Sequence, residues 1–598
     1  MKLFSAILIS FALIINVNAQ KNSKNKNVES LIKRMLLEEK IGQMTQIDYD
    51  AMKNNPSDIV KYSIGSILWG GNSEIADLSG KGWATVYDSL QRLSEKHRLH
   101  IPIIFGIDAV HGHNNVEGAT IFPHNVGLGA TRNPQLVEKV AMITAKEIKG
   151  TGIHWTFAPC VAVARNEKWG RTYESFGEDP NLVKELGAAF VKGLQGANLS
   201  DETSSLACVK HFVGDGGTTN GKDQGNTECD EANLRAIHLP GYIEAIKSGA
   251  KSIMISYNSW NNEKLHGHKY LINDVLKNEL KFEGFVVSDW AAIDQLDGDY
   301  KSDIEKSINA GLDLIMIPNG QGKENNYIDF VTLLNQLVKE NKVPMSRIDD
   351  AVRRILNVKY ELGLFENKYT NKNLTTEIGT PAHREVAREA VRQSLVLLKN
   401  EKNILPLSKN IKNLHVAGKG ADNVGMQCGG WTIDWQGKSG RNIFGGTSIL
   451  TAIKKSVSQN TKVTYSVDGS GVDSNDVAII VIGEEPYAEM IGDREDLSLS
   501  KDDLALIEKM KSKNIPFVVL LISGRPIMIN SAIENSNAFV AIWLPGSEGD
   551  GVADVLFGDF APVGKLPHSW PKEMKQIPIN IGDKNYDPLF PFGFGLTY

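Results

Sequence analysis

The feature that most constrains the fold of this chain is a rhythm, a strand-like run followed by an amphipathic helix, repeated from about residue 63 to 318. Short apolar runs fall at Ser63–Leu68, Ile101–Ile107, His154–Ala158, Ala207–Phe212, Ser252–Tyr257, Gly284–Ser288 and Asp313–Ile317. Helical patterns lie between several of them, for example Pro134–Lys149 and Asn181–Leu194. This alternation over roughly 250 residues predicts an α/β fold, a (β/α)8 TIM-like barrel or a close variant. Several runs end in polar residues, at Asp108, Lys210-His211, Tyr257 and Asp289. Barrels of this kind carry their sites at the C-terminal strand ends, so these residues become candidates together.

A chain of 598 residues exceeds what one hydrophobic core organises. A helical segment, Met345–Leu362, is followed by a polar stretch that continues to about Pro381. A helix over His383–Leu398 then opens a second series, with strands at Leu414–Ala417, Lys462–Val467, Val477–Ile482, Phe517–Ile522 and Phe539–Leu544. The organisation expected is a leader over 1–19, a barrel over 28–370, a linker over 371–390 and a smaller layered α/β sandwich over 391–598.

Met1-Lys2, the largely apolar run Leu3–Val17 and a small-residue site ending at Ala19 read as a signal peptide. The run is short for a span of roughly 20 residues, so no membrane attachment is expected in the mature protein. Export follows, with the periplasm the expected compartment. A net charge of -6 without a long basic run argues against nucleic acid as a partner. Cys160, Cys208, Cys229 and Cys428 match no zinc spacing and read as small buried hydrophobes, with a Cys208–Cys229 disulfide left open.

Asp289 ends the strand Phe285-Val286-Val287 and precedes Trp290. A carboxylate at a barrel strand tip beside an indole can meet a sugar ring; the alternative is a helix N-cap. Lys210 and His211, before the loop Gly214-Asp215-Gly216-Gly217, offer two cationic donors, and Arg171 a third, with a surface ion pair as its bland reading. Asp108 can accept paired hydroxyls or form a turn. Farther on, Trp431-Thr432-Ile433-Asp434-Trp435 sets two indoles in a Gly-flanked loop, and Glu484, Glu485 and Glu489 follow another strand.

From about residue 28 to 598 the chain resembles glycoside hydrolase family 3, in particular its two-domain β-glucosidases and exo-β-glucanases. The resemblance rests on GIDAVHG, RTYESFGEDP, VKHFVGDGGT, MISYNSWN, GFVVSDW, GGWTIDWQG, EEPYAEMIGD and the terminal FPFGFGLTY, in family order. It implies Asp289 as nucleophile and Glu489 of the second domain as acid/base, with Glu484 and Glu485 as competing choices. It further implies Asp108, Arg171, Lys210, His211 and Tyr257 as ligands of the terminal sugar and Met254 as pocket lining. Trp290 and Trp435 correspond to a clamp on the next sugar. The implied reaction is retaining hydrolysis of terminal β-D-glucosyl residues from β-glucan oligosaccharides, without metal or organic cofactor, by a monomer or homodimer. A β-xylosidase and a non-catalytic sugar-binding protein are the alternatives. Gln224 and Gln295 depart from the charged residues of the plant enzymes, and KHFVGDG lacks the histidine of the family's N-acetylglucosaminidases.

Overall fold

The structure, a computed structural model, describes residues 26–473 and 477–598, so the expected leader lies outside the described residues. Among these, no helix is long and apolar enough to cross a membrane.

Eight parallel strands form the first domain: β1 Thr45–Asp48, β2 Ser66–Trp69, β3 Ile104–Ile107, β4 Trp155–Thr156, β5 Leu206–Phe212, β6 Ser252–Ile255, β7 Phe285–Val287 and β8 Ile315–Ile317. They pair in the order β7-β6-β5-β4-β3-β2-β1-β8. The ring closes where Leu314 N donates to Val286 O at 3.1 Å and Ser288 N to Leu314 O at 3.0 Å. Every residue of β1, β2, β3, β5 and β6 is buried, as expected of parallel strands with a packed interior and helices outside. The helices are strongly punctuated. Pro180–Gln195 has proline in its first turn, an Asp179 N-cap accepting from Asn181 N and Leu182 N, and Gly196 at its end.

The barrel has one strand more than its apolar runs suggested. β1 reads Thr-Gln-Ile-Asp, too polar to register as a strand, yet all four residues are buried. Gln46 Nε2 donates to Ser66 Oγ at 2.8 Å and Thr45 Oγ1 to Ile41 O at 2.9 Å.

At the N-terminal end of the barrel, Lys359 is fully buried and donates to Gln43 Oε1, Gly65 O and Pro102 O at 2.7–2.8 Å. Burial without a carboxylate partner holds this ammonium well below the usual lysine range.

The second domain is a six-stranded sheet: β9 Val396–Asn400, β10 Asn413–Ala417, β11 Lys462–Ser466, β12 Val477–Gly483, β13 Phe517–Ile522 and β14 Ala538–Trp543, ordered β9-β14-β13-β12-β10-β11. Only β9 is antiparallel. The helix expected over His383–Leu398 is corrected here, because it runs Pro381–Ser394 and the apolar run after it is strand β9. That run finds edge pairing on β14, and Leu596 N donates to Leu397 O at 2.8 Å from its other side. All four cysteines are free thiols, so the Cys208–Cys229 disulfide does not form.

The domains share a continuous interface. Val110, Val126, Ala130 and Tyr173 of the barrel belong to the second domain's apolar core. Buried carboxylates add direction: Glu147 accepts from Thr120, Gly379 N and His383, and Glu178 from Ser569 and Ile581 N.

Replacing Lys359 with Met leaves Gln43 Oε1 and Pro102 O without a donor, while Gly65 O keeps Ile104 N at 3.1 Å. The expected result is a loss of about 3 kcal/mol in chemical denaturation, with no change in KM because the site lies at the opposite barrel end.

Candidate active site

All ten residues singled out from the sequence line one cavity of about 640 Å³ at the C-terminal barrel mouth: Asp108, Arg171, Lys210, His211, Met254, Tyr257, Asp289, Trp290, Trp435 and Glu489. A larger cleft of about 880 Å³ lies among residues preceding the strands, at the other end of the barrel. It is lined by mutually paired groups such as Arg354–Asp350 and Lys251–Glu361, and none of the unpartnered buried carboxylate oxygens lies in it. The chemistry therefore points to the smaller cavity.

Asp289 lies two residues past the end of β7, after Ser288, which sets its Cα at the barrel rim. Its Oδ1 accepts from Trp290 N at 2.8 Å, and the next helical turn is capped by Ala291, so Asp289 is not a helix N-cap. Its Oδ2 is buried and has no hydrogen-bond partner. Burial raises this carboxyl to about 6, against the pull of Arg171 and Lys210.

Arg171 is the hub. It pairs bidentately with Glu174 at 3.0 and 2.9 Å, reaches Glu489 Oε1 at 2.8 Å and donates to His211 Nε2 at 3.0 Å. Because a guanidinium only donates, Nε2 of His211 must accept, and the ring proton sits on Nδ1, facing Asp215 Oδ2 at 2.8 Å. His211 is therefore neutral, and burial beside Arg171 and Lys210 drives its pKa well below the ordinary value. This corrects the expectation of His211 as a cationic donor. Its Nε2 stands 3.8 Å from Asp289 Oδ2.

Lys210 donates to Asp108 Oδ1 at 2.7 Å. Burial pulls its ammonium down, yet Asp108 and Glu174 more than offset this and hold it above its usual range. Tyr257 OH donates to Trp290 O at 2.5 Å, tying the end of β6 to the segment after Asp289. The indole of Trp290 is 40% exposed at the mouth, and Trp435 is half-buried.

Glu489 arrives from the second domain, its side chain 13% exposed. Its φ of +53° lies in the left-handed region that ordinary residues avoid, as do those of Trp431 (+56°) and Ile433 (+66°) nearby. Burial pushes its carboxyl up to about 8; Arg171 opposes the rise, while Asp223 and Asp289 add to it. The competing acids do other work. Glu484 is held by Arg525, Arg494, Tyr487 and Gly524 N, and exposed Glu485 faces Lys419 at 3.6 Å; neither lines the cavity.

The structure adds residues that sequence reasoning did not assign. Trp431 lines the cavity, donates to Glu174 Oε1 at 3.1 Å and carries Lys210 Nζ 5.6 Å above its ring. Glu174 lay inside a quoted motif but gave no signal of its own. Gln224 and Gln295, noted as departures, bond to each other at 2.9 Å along the wall. As to metals, Cys160, His211 and Asp215 bring one ligand atom each within 4.8 Å of one another. Burial raises the Cys160 thiol and Nδ1 of His211 already serves Asp215, which makes this a poor ligand set.

Two unlike carboxyls, one from each domain, share an aromatic-walled pocket, an arrangement suited to a carbohydrate-cleaving hydrolase. Residues 36–358 match the model of the glycosyl hydrolase family 3 N-terminal domain and residues 395–598 that of its C-terminal domain; the chain belongs to glycoside hydrolase family 3. It is 35% identical to the lysosomal beta glucosidase of Dictyostelium discoideum, over 98% of this chain and 77% of that one. It is 32% identical to a beta-xylosidase of Formosa agariphila, over 98% of this chain and 82% of that one. Among solved structures, the exo-1,3/1,4-beta-glucanase of a Pseudoalteromonas species superposes with a TM-score of 0.91 at 43% identity, covering 96% of this chain and 74% of that one.

Glu174→Gln removes the main counter-charge of buried Arg171. The expected cost is about 3 kcal/mol in chemical denaturation, with a raised KM as Arg171 loses its fixed orientation.

Proposed function

We propose that this hydrolase is an exo-acting β-glucosidase working by retaining double displacement, with Asp289 as nucleophile and Glu489 as acid/base. The observation that carries the reading is the buried, unpartnered Oδ2 of Asp289 in a cavity shared with Glu489. A carboxylate oxygen left without a donor at a strand tip is the group a reacting carbon can approach.

Two carboxyls titrating near 6 and 8 are separated in the way the two roles need. Near neutrality Asp289 is ionised and Glu489 protonated. Glu489 gives its proton to the glycosidic oxygen as Asp289 Oδ2 bonds to the anomeric carbon and the leaving sugar departs. In the resulting ester Asp289 carries no charge, so one cause of the raised Glu489 pKa disappears. Glu489 then suits its second task, taking a proton from the water that displaces Asp289. Lys210 and Asp108 would meet vicinal hydroxyls, while Trp290 and Trp435 face the following sugar.

Glucose is favoured by Asp108, a carboxylate of the pocket wall able to accept outer hydroxyls; the beta-xylosidase relative keeps a pentoside as the second reading. The leader-like Met1–Ala19 supports export, with the periplasm as destination. Release assays on laminari-, cello-, gentio- and xylo-oligosaccharides test the substrate, and predominant xylose release would overturn the glucosidase reading.

Asp289→Asn is expected to abolish turnover of an aryl β-glucoside while leaving the circular dichroism spectrum intact. For the wild type, kcat/KM should fall below pH about 6 as Asp289 gains a proton, and above about 8 as Glu489 loses its own. A profile flat from pH 5 to 9 would refute the assignment of these two roles.

A further inference from the structure

The loop that carries Glu489 across the domain boundary is anchored behind it by an anion. Asp493 Oδ1 accepts from Gly170 N at 2.8 Å and its Oδ2 accepts from Asp223 N at 2.8 Å. Both donors belong to the barrel, and each immediately precedes a cavity residue, Arg171 or Gln224. One carboxylate thus reads two barrel segments and fixes the second-domain loop against both.

The contact beneath it is backbone on backbone. A Cβ on Gly170 would lie 2.1 Å from Glu489 O, and one on Gly492 would lie 2.9 Å from the Gly170 Cα. No side chain fits between barrel and loop here, so the loop's position is set by main-chain contacts and by the groups that hold them. Arg525, wholly buried, donates to Gly492 O at 2.6 Å and to Lys168 O at 3.0 Å, which ties the same two segments together. Ahead of Glu489, Tyr173 OH holds Tyr487 O at 2.7 Å and Gln436 bonds both the N–H and C=O of Ala488. Glu489 itself keeps its left-handed backbone between these anchors, a conformation that ordinary residues avoid and that the surroundings must hold.

We infer that Asp493 is a positioning residue for Glu489, locking the acid/base loop onto the barrel through the Gly170 and Asp223 amides. The inference rests on the acid/base reading of Glu489. It assigns Asp493 no contact with substrate. Its carboxylate suits the task because it accepts two amides at once, whereas asparagine would turn an NH₂ group toward one of them.

The test compares kcat/KM on two β-glucosides, one with a dinitrophenyl leaving group, which departs without a proton, and one with an alkyl leaving group, which needs one. A misplaced acid should matter only for the second. Asp493→Ala is expected to lower kcat/KM on the alkyl glucoside by about 10²-fold and to leave the dinitrophenyl glucoside nearly unchanged, with Asp493→Asn in between. Activity on the dinitrophenyl substrate reports a folded site, and Asp493→Asn serves if the alanine variant fails to fold. Equal losses on both substrates would mark a purely structural contact and overturn the inference. In a Glu489→Ala background, Asp493→Ala should add nothing on the alkyl glucoside, and a multiplied loss would equally overturn it. Glu489→Ala alone separates the two readings. If it spares the alkyl glucoside, the acid/base assignment fails and this inference with it; if it penalises that substrate and Asp493→Ala does not, only the inference about Asp493 falls.

Discussion

The site depends on one buried guanidinium. Arg171 is 3% exposed and faces Glu174, Glu489 and His211 at once, so it sets charge and geometry for groups from both domains. A cation buried this deeply is tolerable only when paired; Glu174 supplies the counter-charge from the barrel, and Glu489 of the second domain accepts one further hydrogen bond. Arg171 lowers both carboxyls, so their difference comes from their other neighbours. Burial raises both, but Asp289 is drawn down by Arg171 and Lys210, whereas Glu489 also feels Asp223 and Asp289.

Much of this was legible in the residues. Strand-end polarity located Asp108, Lys210, Tyr257 and Asp289, since a barrel gathers the C-terminal ends of its strands whatever the sequence between them. The pairing of Asp289 with Glu489 was not legible from spacing. It came from the ordered motifs, and the structure gives it physical content by removing Glu484, which Arg525 and Tyr487 already occupy.

Three things stayed hidden for identifiable reasons. β1 escaped notice because three of its four buried residues are polar, Gln46 bonding across to Ser66 of β2, which defeats any reading based on apolar runs. The strand β9 merged with the preceding helix because Leu395–Leu398 is apolar in either state, and only the edge of β14 decides between them. The charge of His211 was misjudged because a residue type does not reveal its neighbours; an arginine donating to Nε2 makes the ring neutral.

The C-terminal segment returns to the barrel, where Ser569 and the Ile581 amide satisfy Glu178. Glu489 itself is made 200 residues after Asp289. During synthesis the barrel therefore emerges with Arg171 lacking Glu489 and with Glu178 lacking its donors. A chain cut short before Glu489 would lack both sets of contacts, and one cut before Ser569 would still leave Glu178 without its donors. The carboxyl that faces Asp289 and the donors that satisfy Glu178 are thus both supplied by residues made after the barrel itself.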